Sequence, residues 1–124
     1  MMNRGVLLAV CTALLLVGCG SKQKHKEKYY QTLLCEELDG VMEQSLLDRT
    51  RIDCLTDEYA IEVDFARKWA ESVGQSLYYA LKTGKKPAVG LIVRGNKKDK
   101  RRLKRLEALA EKYHIKIFII EREG

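Results

Sequence analysis

After residue 18 the chain has no further apolar run of membrane-spanning length, which excludes a multi-pass membrane protein. It has no CxxC pair and no Cys/His spacing of the kind that holds zinc. Gly84, Gly90 and Gly95 form no phosphate-binding loop, so a nucleotide-binding reading has no motif to stand on. The two histidines, His25 and His114, have no partner at catalytic spacing and read as surface residues. There is no internal repeat, which removes solenoid architectures. The only proline, Pro87, stands ahead of an apolar segment.

What is present is a 124-residue chain, 46% hydrophobic and 32% charged, within the range of one small globular domain. The net charge of +6 is concentrated locally. Lys22, Lys24, Lys26 and Lys28 alternate near the start. Lys97, Lys98, Lys100, Arg101, Arg102, Lys104 and Arg105 are packed together near the end. Such clusters attract phosphate backbones or anionic head groups, and they equally describe a basic linker and a solvated helix face.

The N-terminus carries Arg4, an apolar core from Val6 to Val17, and a small residue, Gly18. The run Leu16-Val17-Gly18-Cys19 resembles the lipobox of bacterial lipoproteins. That resemblance implies a signal peptide over residues 1–18, diacylglycerol on the Cys19 sulfur, cleavage before Cys19 and acylation of the new amino terminus. Several acyl chains together anchor firmly where one does not. Residues 19–28 would then be the lipidated cysteine and a basic tether. Gly20, rather than an aspartate, follows the cysteine, which points to the outer membrane, facing the periplasm, rather than the inner one. Export leaves Cys35 and Cys54 as an even pair in an oxidising compartment, and a disulfide between them is expected. Two separate buried thiols are the alternative.

Over residues 29–124 a single α/β domain is expected. Tyr29 to Leu38 is helical, and Asp39-Gly40 ends it with a residue that tolerates positive φ. Three short strands follow, Val41 to Leu46, Arg51 to Leu55 and Tyr59 to Phe65, joined by hairpin-length loops. Ala66 to Lys82 is an amphipathic helix with Ala66, Trp69, Ala70, Val73, Leu77, Ala80 and Leu81 inward, closed by Thr83-Gly84. Ala88 to Val93 is a buried strand. Asp99 caps a helix running to Tyr113 with Leu103, Leu106, Leu109, Ala110 and Tyr113 inward, and Ile115 to Ile120 is the last strand. The order αβββαβαβ makes a small α/β sandwich around a mixed central sheet, its strand–helix–strand crossovers right-handed.

Asp53 on the second strand and Glu62 on the third can share one face, with Asp64 two residues beyond Glu62. Converging carboxylates repel unless they share a cation, and an oxygen-only set favours Mg²⁺. This order and context resemble the core of the PD-(D/E)xK, restriction-endonuclease-like nuclease superfamily. Asp53 in Arg51-Ile52-Asp53-Cys54 matches the first acid, and Glu62 in Ala60-Ile61-Glu62-Val63-Asp64 the second. Gln75 and Tyr79 match the Q-x-x-x-Y of its RecB-type branch. Glu36 or Glu37 stands where Holliday-junction resolvases of this fold carry an extra acid. The family lysine, two residues after the second acid, is Asp64 here. In some members it comes from the next helix, a place Lys68 fills, because Lys68, Ser72, Gln75 and Tyr79 make one stripe.

The resemblance implies a Mg²⁺-dependent hydrolase of phosphodiester bonds in DNA or RNA. Asp53, Glu62, Lys68 and Gln75 would be catalytic, with Asp53, Glu62 and Asp64 around the metal. Lys100, Arg101, Arg102, Lys104 and Arg105 would bind nucleic-acid backbone, and Tyr79, with Tyr78, either stacks on a base or packs. The competing expectation is an envelope lipoprotein that keeps the fold without catalysis and binds a protein or an anionic polymer.

Overall fold

A computed structural model describes residues 24–123. The expected signal peptide, the expected lipidation site Cys19 and residues 20–23 of the expected tether lie outside the described residues.

The chain forms α1 (Glu27–Glu37), β1 (Val41–Ser45), β2 (Arg51–Leu55), β3 (Tyr59–Phe65), a 3₁₀ turn (Ala66–Lys68), α2 (Trp69–Thr83), β4 (Lys86–Val93), α3 (Lys97–Tyr113) and β5 (Lys116–Glu121). The five strands make one sheet in sequence order. β1, β2 and β3 run antiparallel, whereas β3, β4 and β5 are parallel. Hairpin-length loops can reverse a chain but cannot return it to the same direction, so the parallel half needs α2 and α3 as crossovers. This is the expected α/β sandwich with a mixed central sheet.

Alternation along β3 assigns the layers. Ile61 and Val63 join Tyr30, Leu34, Cys35, Cys54, Ala88 and Ile92 in a core beneath α1. On the opposite face Val89 and Leu91 pack with Ala66, Leu106, Ala110 and Ile115 beneath α2 and α3. Both crossovers therefore cover one face, as two connections of one hand moving the same way across a sheet require. Gly90 lets α1 settle on the sheet, since a Cβ there would lie 2.8 Å from Leu34 Cδ2. Among the described residues, both faces of the sheet are covered by elements within Glu27–Glu121.

Cys35 on α1 and Cys54 on β2 form the expected disulfide. Gly40 serves it: a Cβ at that position would come within 2.5 Å of Cys54 Sγ and 2.8 Å of Cys35 Sγ. The residue that turns the chain left-handed after α1 is Asp39 (φ 54°), not Gly40. Gly84 does close α2, at φ 71°, its N–H donating to Ala80 O.

Several expectations need correction. α1 begins at Glu27, so Glu27 and Lys28 belong to the domain rather than to a tether. His25 is no bare surface residue, because its ring stacks on Tyr29 with centroids 3.8 Å apart. The cap of α3 is Asn96, whose side chain accepts from the Asp99 N–H, while Asp99 is buried and accepts from the Arg94 N–H. Trp69, Val73 and Leu77 do face the core. Ala70 and Leu81 point outward, however, and Ser72, Ser76 and Tyr79 are buried in their place. Tyr113 is also exposed. Among the described residues no helix is long and apolar enough to cross a membrane.

Candidate functional site

The pairing of β2 with β3 stops at Cys54↔Ile61, so the two strands part at Asp53. Ile52 and Cys54, two residues apart, then pack on opposite faces, which breaks the alternation at Asp53. The Asp53 side chain takes over the lost ladder bond: Oδ2 accepts from the Val63 N–H at 2.8 Å. Gln31 on α1 donates through Nε2 to Asp53 O at 2.8 Å and to Glu43 Oε1 at 3.2 Å. Glu43, opposite Asp53 on β1, has φ 56°, a left-handed conformation unusual for glutamate.

Three carboxylates gather where the strands part. Glu62 and Asp64 are only 6% and 4% exposed, under the N-terminal half of α2. The Ser72 hydroxyl donates to Asp64 Oδ2 at 2.9 Å, whereas buried Glu62 Oε2 has no hydrogen-bond partner. Burial raises all three acids. Glu62 is pushed up to about 9 by burial and then by the charges of Asp53 and Asp64. Asp64 rises to about 7, burial outweighing the Ser72 hydrogen bond. Asp53 rises to about 6, burial outweighing the Val63 N–H, with Glu43 and Glu27 adding repulsion.

Lys68 turns into this cluster. Its Nζ lies 3.8 Å from Asp64 Oδ1 and 3.8 Å from Glu27 Oε2, so it bridges β3 to the first turn of α1. Tyr79 is 5% exposed and packs with Ile52 and Ala60. Ala60, Glu62 and Asp64 alternate onto that face of β3, so Tyr79 shares the acids' side of the sheet, and its hydroxyl is raised by burial and then by Glu62 and Asp53.

Asp53, Glu62, Asp64 and Lys68 thus come together, with Tyr79 beside them. Gln75 shares their angular sector of α2 but is exposed and has no hydrogen-bond partner among the described residues. Glu36 and Glu37 are exposed at the far end of α1. The first-helix acid at the cluster is Glu27, not one of these. Gln31 was also missed. Glu27, Gln31 and Cys35 follow at i, i+4 and i+8, and Cys35 is bonded beside Asp53. Helical spacing read back from the expected disulfide therefore leads to both residues.

The basic residues of α3 stand apart from the acids. Lys100, Arg101, Lys104 and Arg105 are exposed, while Arg102 donates to Asp99 Oδ1 at 2.9 Å and so is committed within the fold. Among the described residues no three His, Cys, Asp or Glu side chains form a ready metal cage. Any cation here would rest on two carboxylates and water, which is how Mg²⁺ is commonly held. No protein-family model matches the chain, and no curated protein or solved structure matches it either.

Proposed function

We propose that the chain is a membrane-anchored lipoprotein whose domain is a PD-(D/E)xK-like, Mg²⁺-dependent nuclease. The observation that carries the nuclease reading is the parting of β2 from β3 at Asp53, with Glu62 beside it and Lys68 brought in from the 3₁₀ turn that leads into α2. A strand pair that opens at an aspartate and buries a second acid beside it is costly unless a proton or a cation lies between the two carboxyl groups, and a cation is what the nuclease reading supplies.

The residues fit Mg²⁺ on that count. Asp53 and Glu62 would hold it, Glu62 Oε2 being the oxygen that lacks any other partner. Bound there, the ion supplies polarisation of a phosphoryl oxygen and activation of water. Lys68 offsets the negative charge developing on the phosphate, and Glu27 and Asp64 hold its ammonium at the cluster. The Ser72 hydroxyl fixes the Asp64 carboxylate. Gln75, at the solvent side of the same stripe, orients substrate. Lys100, Arg101, Lys104 and Arg105, exposed on α3, bind backbone without reading sequence.

The anchor reading rests on Leu16-Val17-Gly18-Cys19. The disulfide supports it, because paired cysteines persist in oxidising compartments such as the bacterial periplasm. Gly20 then favours the outer membrane.

The non-catalytic reading, binding of a protein or an anionic polymer, has one observation in its favour: Asp64 stands where the family lysine would be. Cleavage assays separate the two. Wild-type protein should cut DNA or RNA only with a divalent cation, and Glu62→Gln and Lys68→Ala should abolish cutting while remaining folded. Failure to cut single- or double-stranded substrates, together with no effect of Mg²⁺ on melting, would leave only the binding reading.

A further inference from the structure

A second charged feature lies at the carboxyl ends of the parallel strands, where open α/β sheets commonly bind ligands. A cavity of about 450 Å³ is lined there by Phe65, Arg67, Ile92, Arg94, Lys98 and Arg122, with Asp99 and Arg102 in its wall. The cations outnumber the one carboxylate, and that carboxylate is spent. Asp99 Oδ1 accepts from Arg102 and Oδ2 from the Arg94 N–H. Arg67, Arg94, Lys98 and Arg122 have no carboxylate partner among the described residues. The guanidinium of Arg122 is held over the Phe65 ring, 5.0 Å from its centroid. Part of this positive surface is therefore fixed before any ligand arrives.

The cleft continues into a smaller one of about 300 Å³, bounded by Lys24, Arg94, Gly95 and Arg122. Lys24 marks where the N-terminal segment leaves the domain, and Cys19 is five residues earlier. Five extended residues span at most roughly 17 Å. A lipid on Cys19 thus brings this end of the sheet, rather than the opposite one, to the membrane surface.

We propose that the cleft between Arg67, Arg94, Lys98 and Arg122 docks on the phosphates of anionic phospholipid head groups in the membrane to which the chain is tethered. This rests on the anchor reading of Cys19. The tether supplies proximity and the cleft supplies orientation, so the domain lies on the bilayer with its carboxyl strand ends down instead of tumbling on a leash. A surface cation near an anionic bilayer contributes about fivefold in binding, so removing two of them should weaken it on the order of twentyfold.

The test uses the chain from Gly20 onward, without lipid, and vesicles of phosphatidylcholine alone or mixed with phosphatidylglycerol. Binding is expected only to the mixed vesicles. Arg94→Gln with Lys98→Gln, both exposed positions, should reduce it on the order of twentyfold. Lys112→Gln with Lys116→Gln, at the opposite end of the sheet, should change it less than about twofold, and melting curves should show all variants folded. Equal losses in both double variants, or no binding to mixed vesicles, would overturn the proposal. So would complete displacement from vesicles by inorganic phosphate at low concentration, which would mark a small-phosphate site. Capture of duplex DNA by the same two cations, without vesicle binding, would assign the cleft to nucleic acid instead. The anchor is read separately, from the mass of the N-terminal peptide of membrane-derived protein. An unmodified Cys19 overturns the anchor and with it the tethered orientation, even if vesicles still bind, and a lipidated Cys19 without vesicle binding sinks the cleft alone.

Discussion

Replacing Glu62 with glutamine should make the metal-free domain more stable at neutral and alkaline pH, while abolishing activity. Glu62 is buried beside Asp53 and Asp64, and its carboxyl is pushed from an ordinary 4.5 to about 9. The folded state therefore holds a proton that the unfolded chain has released. Stability from this group is fully present below about pH 4.5 and is lost as the pH rises toward 9. Each pH unit in that window costs about 1.4 kcal/mol, so between pH 4.5 and 8 the ceiling is about 5 kcal/mol. The neighbouring acids share protons with Glu62, so the loss stays below that ceiling.

Glutamine has nearly the shape of the protonated acid and does not titrate, so the variant should escape this loss. In thermal melts the Glu62→Gln protein should match wild type at pH 4. At pH 8 it should exceed wild type by several degrees, since 1 kcal/mol shifts a domain of this size by about 4–8 °C. Millimolar Mg²⁺ at pH 8 should close most of that gap by stabilising wild type alone. A variant that melts at or below wild type at pH 8 would refute the reasoning. So would a wild-type stability that stays flat between pH 5 and 8.

Asp53 should behave oppositely on truncation. Asp53→Ala strands the Val63 N–H and should cost about 1–3 kcal/mol in denaturant titration, whereas Asp53→Asn keeps an acceptor and should cost little while losing Mg²⁺ binding. Replacing both Cys35 and Cys54 by alanine opens a cross-link of sequence separation 19 and should cost about 3 kcal/mol, matched by wild type melted under reducing conditions. Gly40→Ala should destabilise the oxidised protein by about 1–3 kcal/mol and cost less in the cysteine-free background, because the clash is with the two sulfurs. Asn96→Ala should cost about 1 kcal/mol of α3 stability, read from the same melts.

The order of elements, the mixed sheet and the Cys35–Cys54 bond were legible in the sequence, because periodicity and cysteine arithmetic are local signals. The inward face of α2 was legible only in part. Counting apolar residues points Ala70 and Leu81 inward, but the strand beneath the helix carries Glu62 and Asp64. Hydroxyls of Ser72 and Tyr79 suit that surface better than methyl groups do. Glu27 was hidden for a different reason. It sits among alternating lysines that look like tether, and what recruits it is Lys68, forty-one residues away in the chain and 3.8 Å away in space. Gly40 offered a familiar turn signal for the wrong reason, its small size being needed by a disulfide and not by the backbone angle.

The disulfide also bears on how the acids are held. At Asp53 β2 loses its ladder to β3 while keeping the one to β1, and the charges of Glu43 and Glu27 bear on the point where the strands part. Cys54, the next residue, is tied covalently to α1, and Gln31 of the same helix holds the Asp53 carbonyl. Oxidation therefore fixes the strand at the point where electrostatics would open it. Under reducing conditions the β1–β2 ladder, the Gln31 bond and the Val63 bond would be left to hold Asp53 against the charges of Glu43 and Glu27. A site braced by a cystine suits a protein carried out of the cytoplasm before it folds, which agrees with the export signal proposed at the N-terminus.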